Sequence, residues 1–213
     1  MMMNSFTKFL LDEGVLRFGD FTLKSGRKCP YFMNFGDIKN GGSITMLAAY
    51  YGEIIKGLDL EGRILFGPAY KGIPLVVATS VILKEKYNIS LPFAYNRKEA
   101  KDHGEGGSIV GTIPKEGDRI TIVEDVITAG TAVKESLEIL KPTGAVVDSL
   151  VVAVDRMERG KGERSATKEL EEEYGIKVYS ISSIEEVAEN LTGENGAYKD
   201  KIWDYLKEYG GKR

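Results

Sequence analysis

The chain has 213 residues, enough for one α/β domain with a buried core and appendages. Its formal charge of −3 leaves no basic footprint for nucleic acid, so the basic residues that matter must act locally. Cys29 is the only cysteine and His103 the only histidine, which excludes an intrachain disulfide and a Cys/His zinc site, so any metal is expected to be oxygen-bound.

Taken in chain order, residues 4–13 read as a helix that ends at Gly14. This start has neither a long apolar core nor a small-residue cleavage site, and no run approaches the roughly 20 apolar residues of a membrane span. A cytoplasmic protein without membrane contact is therefore expected. From Thr22 to Asn34, basic residues and turn formers precede an aromatic strand, which on local grounds suits a surface hairpin. Ser43 is placed to cap a helix in which Ile44, Leu47, Ala48, Tyr51, Ile54, Ile55 and Leu58 recur at helical spacing. Strands are expected at 63–66, 91–95, 119–123, 145–154 and 176–181, separated by helical stretches at 73–87, 132–140 and 165–174. That alternation predicts a mainly parallel sheet covered on both faces, with ligands beyond the carboxyl ends of its strands. Two later helices follow, one opened by the capping box Ser183-x-x-Glu186 and one over 196–209 before Gly210. The polar stretch 96–108 interrupts the pattern and reads as a mobile loop.

Chemistry concentrates in residues 120–132, ITIVEDVITAGTA. An apolar β-branched run is followed by Glu124 and Asp125, then by a short loop with Thr128, Ala129, Gly130 and Thr131 at the start of a helix. Glycine lets backbone approach a ligand, the first helical N–H groups are unsatisfied, and threonine hydroxyls add donors, so the loop suits a phosphate. The carboxylates accept hydrogen bonds and suit the vicinal hydroxyls of a ribose, directly or through an oxygen-bound divalent cation. In Phe66-Gly67-Pro68-Ala69-Tyr70-Lys71-Gly72, two glycines flank a lysine between a strand and a helix, a second anion-binding arrangement although not a GxxxxGK[ST] loop. The interrupting stretch carries Arg97, Lys98, Lys101 and His103 ahead of Gly104, Gly106 and Gly107. In isolation it would equally suit a solvated hairpin tip.

The acidic pair with its Thr/Gly loop resembles the phosphoribosyl pyrophosphate (PRPP) motif of type I phosphoribosyltransferases. The string VITAGTA, the GPAYKG loop, the LKSGR segment and the NRKEAKDHGEGG loop together resemble the orotate phosphoribosyltransferase family. The resemblance implies an α/β fold with a mainly parallel sheet flanked by helices, in one domain spanning 1–213 whose first 40 or so residues form a base-binding hood. It implies PRPP contacts from Tyr70, Lys71, Arg97, Lys98, Lys101, His103, Glu124, Asp125, Val126, Ile127, Thr128, Ala129, Gly130, Thr131 and Ala132. Orotate contacts are implied for Lys24, Phe32, Met33, Thr128 and Arg156, and catalytic roles for Lys101, His103 and Asp125.

Arginine's fork of donors matches a planar carboxylate better than lysine does, which fits Arg156 to orotate; a simple strand-end pairing of Arg156 with Glu158 is the plainer alternative. The resemblance also implies Mg²⁺ held mainly by substrate oxygens and water, and a homodimer in which the cationic loop serves the neighbouring subunit's site. Met33 stands where many relatives carry Phe, and Glu124 where many carry Asp. Cys29 reads as a small filler, since no neighbouring chemistry calls for a thiolate. A PRPP-sensing regulator would keep residues 124–131 but would not need the cationic loop. A purine phosphoribosyltransferase fits Lys24 and Arg156 less well than an anionic base does.

Overall fold

The protein is described from a computed structural model, which covers residues 2–23, 26–98, 108–127, 130–160 and 162–212. Helix α1 (Met2–Asp12) leads into a hairpin of β1 (Leu16–Thr22) and β2 (Lys28–Met33). There follow α2 (Gly41–Ile55), β3 (Arg63–Gly67), α3 (Gly72–Tyr87), β4 (Phe93–Asn96), β5 (Ile109–Gly111) and β6 (Arg119–Ile127). The remainder comprises α4 (Thr131–Leu140), β7 (Val146–Asp155), α5 (Ala166–Tyr174), β8 (Lys177–Ser183), α6 (Ile184–Glu189) and α7 (Tyr198–Tyr209). Six strands form one sheet in the order β5-β4-β3-β6-β7-β8. All neighbours run parallel except β4 and β5, so the mainly parallel sheet expected from the alternation is present.

The apolar runs explain this arrangement. Along β7, Leu150 and Val152 join a core with α4 and α5 residues Val133, Leu140 and Leu170. Val151 and Ala153 join the opposite core with α2 and α3 residues Leu47, Tyr51 and Leu83. A strand buried on both faces alternates its side chains between two layers and so reads as a continuous hydrophobic run. The second core also takes in Phe6 of α1 and Tyr31 of β2, so the N-terminal hairpin packs continuously with the sheet.

Several boundaries differ from expectation for identifiable reasons. Strand β6 runs on to Ile127, so Glu124 and Asp125 lie within it rather than after it. The partner strand continues alongside, with Glu124 opposite Val152 and Ile127 opposite Asp155, and backbone pairing persists where the apolar run stops. Ser43 does not cap α2. Asn40 does, its Oδ1 accepting from Ser43 N at 2.9 Å, while Ser43 Oγ donates to Glu13 Oε2 at 2.5 Å. Strand β4 starts after Pro92, which has no N–H to offer a ladder. The last helix starts at Tyr198, preceded by a 3₁₀ turn over Gly193–Ala197. The capping box at Ser183 and Glu186 forms as expected. Residues 99–107, the heart of the expected mobile loop, lie outside the described residues; the segment joins β4 to the antiparallel β5.

At the amino ends of the strands a buried guanidinium ties three of them together. Arg63 Nη1 donates to Thr121 Oγ1 (2.7 Å), Asp148 Oδ1 (2.7 Å) and Ser149 Oγ (2.8 Å). Arg119 bonds both Asp148 and Asp59.

Candidate active site

At the carboxyl ends of the same strands, three connections converge. After β3 the chain turns back so tightly that a Cβ on Gly67 would lie 2.2 Å from the Gly72 carbonyl oxygen, so only glycine fits. Ala69 N donates to Asn96 Oδ1 at 2.8 Å, which fastens this loop to the end of β4. Lys71 then projects toward β6, where its Nζ lies 2.8 Å from Asp125 Oδ2.

The acidic pair is buried. Tyr51 Oη donates to the Glu124 backbone carbonyl at 2.6 Å, fixing the strand from beneath. Glu124 Oε1 accepts from Asp125 N (3.0 Å), and Asp125 Oδ1 accepts from Val126 N (2.8 Å). Burial, followed by the neighbouring Asp125 charge, pushes the Glu124 carboxyl up to about 8 against the opposing pull of Lys71. After β6, Gly130 takes φ +67, the left-handed conformation glycine accepts without cost, and α4 begins at Thr131. The first N–H groups of α4 thus face the same end of the sheet as the acidic pair.

A cavity of about 680 Å³ brings together Phe32, Met33, Lys71, Val126, Thr131 and Arg156, all of them residues singled out in the sequence. Arg97 and Lys98 line a second crevice that shares Thr131, and Lys98 Nζ stands 3.8 Å from Glu135 Oε2. Tyr70 is exposed. Ala132 lies in the first turn of α4, whereas the Ile127 side chain is buried in the core and leaves only its backbone for a ligand. Lys24, Lys101, His103, Thr128 and Ala129 lie outside the described residues.

Arg156 is buried at the end of β7, and the plainer pairing is present. Its Nε and Nη2 both donate to Glu158 Oε1, at 2.8 and 2.5 Å, while its guanidinium lies 4.9 Å from the Tyr31 ring centroid. The pairing does not remove Arg156 from the cavity, which Glu158 and Arg27 also line. Arg27 Nη1 lies 3.5 Å from Glu158 Oε2, and Arg27 stacks over Tyr209 at 5.2 Å. Cys29 is buried beside them, and burial pushes its thiol up, away from thiolate chemistry.

Arg27, Glu158 and Asn96 are site residues that sequence reasoning misses. Arg27 carried a signal in belonging to LKSGR, and Glu158 in its spacing from Arg156. Asn96 carried none, because its partner is a backbone N–H 27 residues away.

Among the described residues, no group of three His, Cys, Asp or Glu side chains converges as a metal cage. Near the cavity, β6 offers the carboxyl groups of Glu124 and Asp125, the latter already paired with Lys71, which fits a cation held mainly by substrate oxygens and water. No helix among the described residues is long and apolar enough to cross a membrane.

Residues 38–186 match the phosphoribosyl transferase domain family. An orotate phosphoribosyltransferase from Nitrosococcus oceani is 48% identical over 212 residues, covering 99% of this chain and 96% of the relative. One from Pseudomonas paraeruginosa is 49% identical over 207 residues, covering 96% of each. The crystal structure of the Francisella tularensis orotate phosphoribosyltransferase superposes with a TM-score of 0.84 at 40% identity, covering 97% of this chain and 100% of that one. Sequence, fold and the converging loops agree, and the chain belongs to the orotate phosphoribosyltransferases.

Proposed function

We propose that this protein transfers the 5-phosphoribosyl group of PRPP to orotate, yielding orotidine 5′-phosphate and pyrophosphate in pyrimidine (UMP) biosynthesis, at the cavity beyond β3, β6 and β7. The observation that carries this reading is the sharing of one cavity by an anion-binding lysine loop, a helix start beside a buried acidic pair, and a guanidinium suited to an anionic base. In the reaction the bond from the sugar carbon to a pyrophosphate oxygen breaks, a bond to an orotate ring nitrogen forms, and the sugar carbon passes through cationic character. The protein then works by positioning and electrostatics, and needs no covalent nucleophile.

Lys71, the backbone of residues 126–132 and the nearby Arg97 and Lys98 hold the phosphate groups. Asp125 and Glu124 receive the ribose hydroxyls; burial and the Asp125 charge hold the Glu124 carboxyl well above the ordinary carboxylate range, which favours the form that can donate as well as accept. Arg156 takes the orotate carboxylate, with Phe32, Met33, Lys24 and Thr128 around the ring. Lys101 and His103 act on the leaving group, a role that rests on the family resemblance and on the cationic loop's composition. When bound through diphosphate, ribose and water oxygens, Mg²⁺ would spread the charge of the leaving group.

The reading includes a homodimer whose loops cross between subunits, and a hood formed by the first 40 or so residues. In support of association, α3 exposes Val77 and Val81, one turn apart, and α2 exposes Met46. A cytoplasmic location follows the same reading, because a highly charged phosphorylated substrate does not cross membranes unaided. Incubation with PRPP, Mg²⁺ and either orotate or purine bases tests the assignment through loss of orotate absorbance. Turnover of purines alone would overturn it, and full turnover in excess chelator would remove the metal from it.

A further inference from the structure

The cavity's base end contains a carboxylate that the reaction itself does not call for. Glu158 is buried, lies at the mouth of a site meant for an anion, and by charge alone should repel its ligand. Its contacts explain its presence. One oxygen, Oε1, accepts from both Nε and Nη2 of Arg156. The other, Oε2, lies 3.5 Å from Arg27 Nη1. Glu158 therefore occupies one whole edge of the Arg156 guanidinium, and Tyr31 covers a face. Arg156 Nη1 is the nitrogen left without a hydrogen-bond partner among the described residues.

An arginine side chain carries several rotatable bonds, and freezing it at the moment of binding costs ligand affinity. Here the freezing precedes the ligand. Nε and Nη2 are committed, Nη2 also reaching Cys29 Sγ at 3.8 Å, the plane is fixed by an aromatic face, and the N–H groups of Nη1 remain. Arg27 and Arg156 share a single carboxylate, so this trio keeps one net positive charge toward a cavity that Lys71 and Arg159 also line, a setting that favours an anionic base. The two arginines come from distant parts of the chain, the turn between β1 and β2 and the end of β7. Glu158 thus joins the hood to the sheet at the point where a base would sit.

We propose that Glu158 is a positioning residue for base recognition, orienting the Arg156 guanidinium and coupling it to Arg27. This rests on the reading of Arg156 as an orotate contact.

The test is a double-mutant cycle on steady-state kinetics. Glu158→Gln keeps the side chain's shape and removes its charge. It should raise the orotate KM at least tenfold, while the PRPP KM and kcat stay within about twofold. Arg156→Lys, which keeps the charge and loses the fork, supplies the other corner. If Glu158 acts through Arg156, adding Glu158→Gln to Arg156→Lys will raise the orotate KM by less than twofold more. Glu158→Asp, which keeps the charge but withdraws the oxygens by one methylene, goes through the same cycle and carries the test if the Gln protein does not melt cooperatively. An orotate KM unchanged by either substitution, or the same fold increase in both backgrounds, overturns the proposal, as does a loss confined to melting temperature. Wild-type protein that fails to use orotate overturns the functional reading instead, so the two failures are distinguishable.

Discussion

Lys71 Nζ and Asp125 Oδ2 form an ion pair 2.8 Å apart, joining the turn after β3 to the acidic end of β6. The lysine is half-exposed and the aspartate is buried, so the pair holds a carboxylate in place with a cation that still reaches solvent. A diphosphate arriving at Lys71 competes directly with Asp125, and freeing Asp125 makes its oxygens available to ribose hydroxyls. Lys71→Met should raise the PRPP KM by an order of magnitude with little change for orotate. Leaving the buried Asp125 without its cation should also cost about 1–3 kcal/mol of stability, read by denaturant titration.

Glu124 predicts a pH dependence with a definite sign. Its carboxyl titrates at about 8 in the folded protein against an ordinary 4.5, so folded protein holds the extra proton between those values. Stability from this group therefore falls as pH rises through that window and levels off above it. Glu124→Gln never acquires the charge. Its melting temperature relative to wild type should climb by several degrees between about pH 5 and pH 9 in differential scanning calorimetry. A pH-independent difference would contradict the raised titration of this buried carboxyl.

Arg156→Ala removes a charged donor from the base end and leaves the buried Glu158 its longer contact to Arg27, at 3.5 Å. Orotate binding should weaken by about 2 kcal/mol or more, with PRPP binding nearly intact. Stability should fall by up to about 3 kcal/mol, less than for a buried charge left with no partner, because Arg27 remains. Adding Glu158→Gln should recover much of the stability but none of the orotate affinity, which separates the two losses in one protein.

The turn after β3 has no room for a side chain. Gly67→Ala would drive a methyl group to 2.2 Å from the Gly72 carbonyl oxygen and 2.7 Å from Val76 Cγ1. The backbone must shift, carrying Lys71 with it. PRPP binding, followed by calorimetry, should drop at least tenfold, whereas Gly196→Ala, where the nearest atom lies 4.0 Å from the added methyl and the backbone is not left-handed, should leave it unchanged.

If the cationic loop serves the partner's site, two inactive proteins will complement each other. Lys101→Ala and Asp125→Ala homodimers should each be nearly inactive. After subunit exchange, about half of the molecules are heterodimers with one intact site, so activity should return to roughly a quarter of wild type. Exchange verified by an independent label without recovery of activity would place the loop in its own subunit's site.

What was legible in the sequence was what periodicity and local chemistry encode. The buried parallel strands were readable as apolar runs, and the acidic pair with its glycine loop as a ligand-binding junction. Strand β6 continues through Glu124 and Asp125 because β7 pairs with it there, and that is a fact about a neighbour 28 residues away in chain register, invisible to a local pattern. The Asn40 cap displaced Ser43 for a reason within reach, since asparagine caps at least as well as serine. The sequence offers Glu158 as Arg156's partner, and from the sequence a pairing and a place in the cavity read as alternatives. Burial makes them the same thing, because the side chain that holds the guanidinium must line the space the guanidinium serves.

The polar cluster at the other end of the sheet has a bearing on adaptation. Arg63 and Arg119 are matched by Asp148 and Asp59, two positive charges against two negative, so little net field leaves the cluster. Along β6, Arg119 is about 20 Å from Asp125 at the usual rise per residue. Heat tolerance can therefore be tuned at one end of the strands by rebuilding these ion pairs, without moving the titration of the groups at the other.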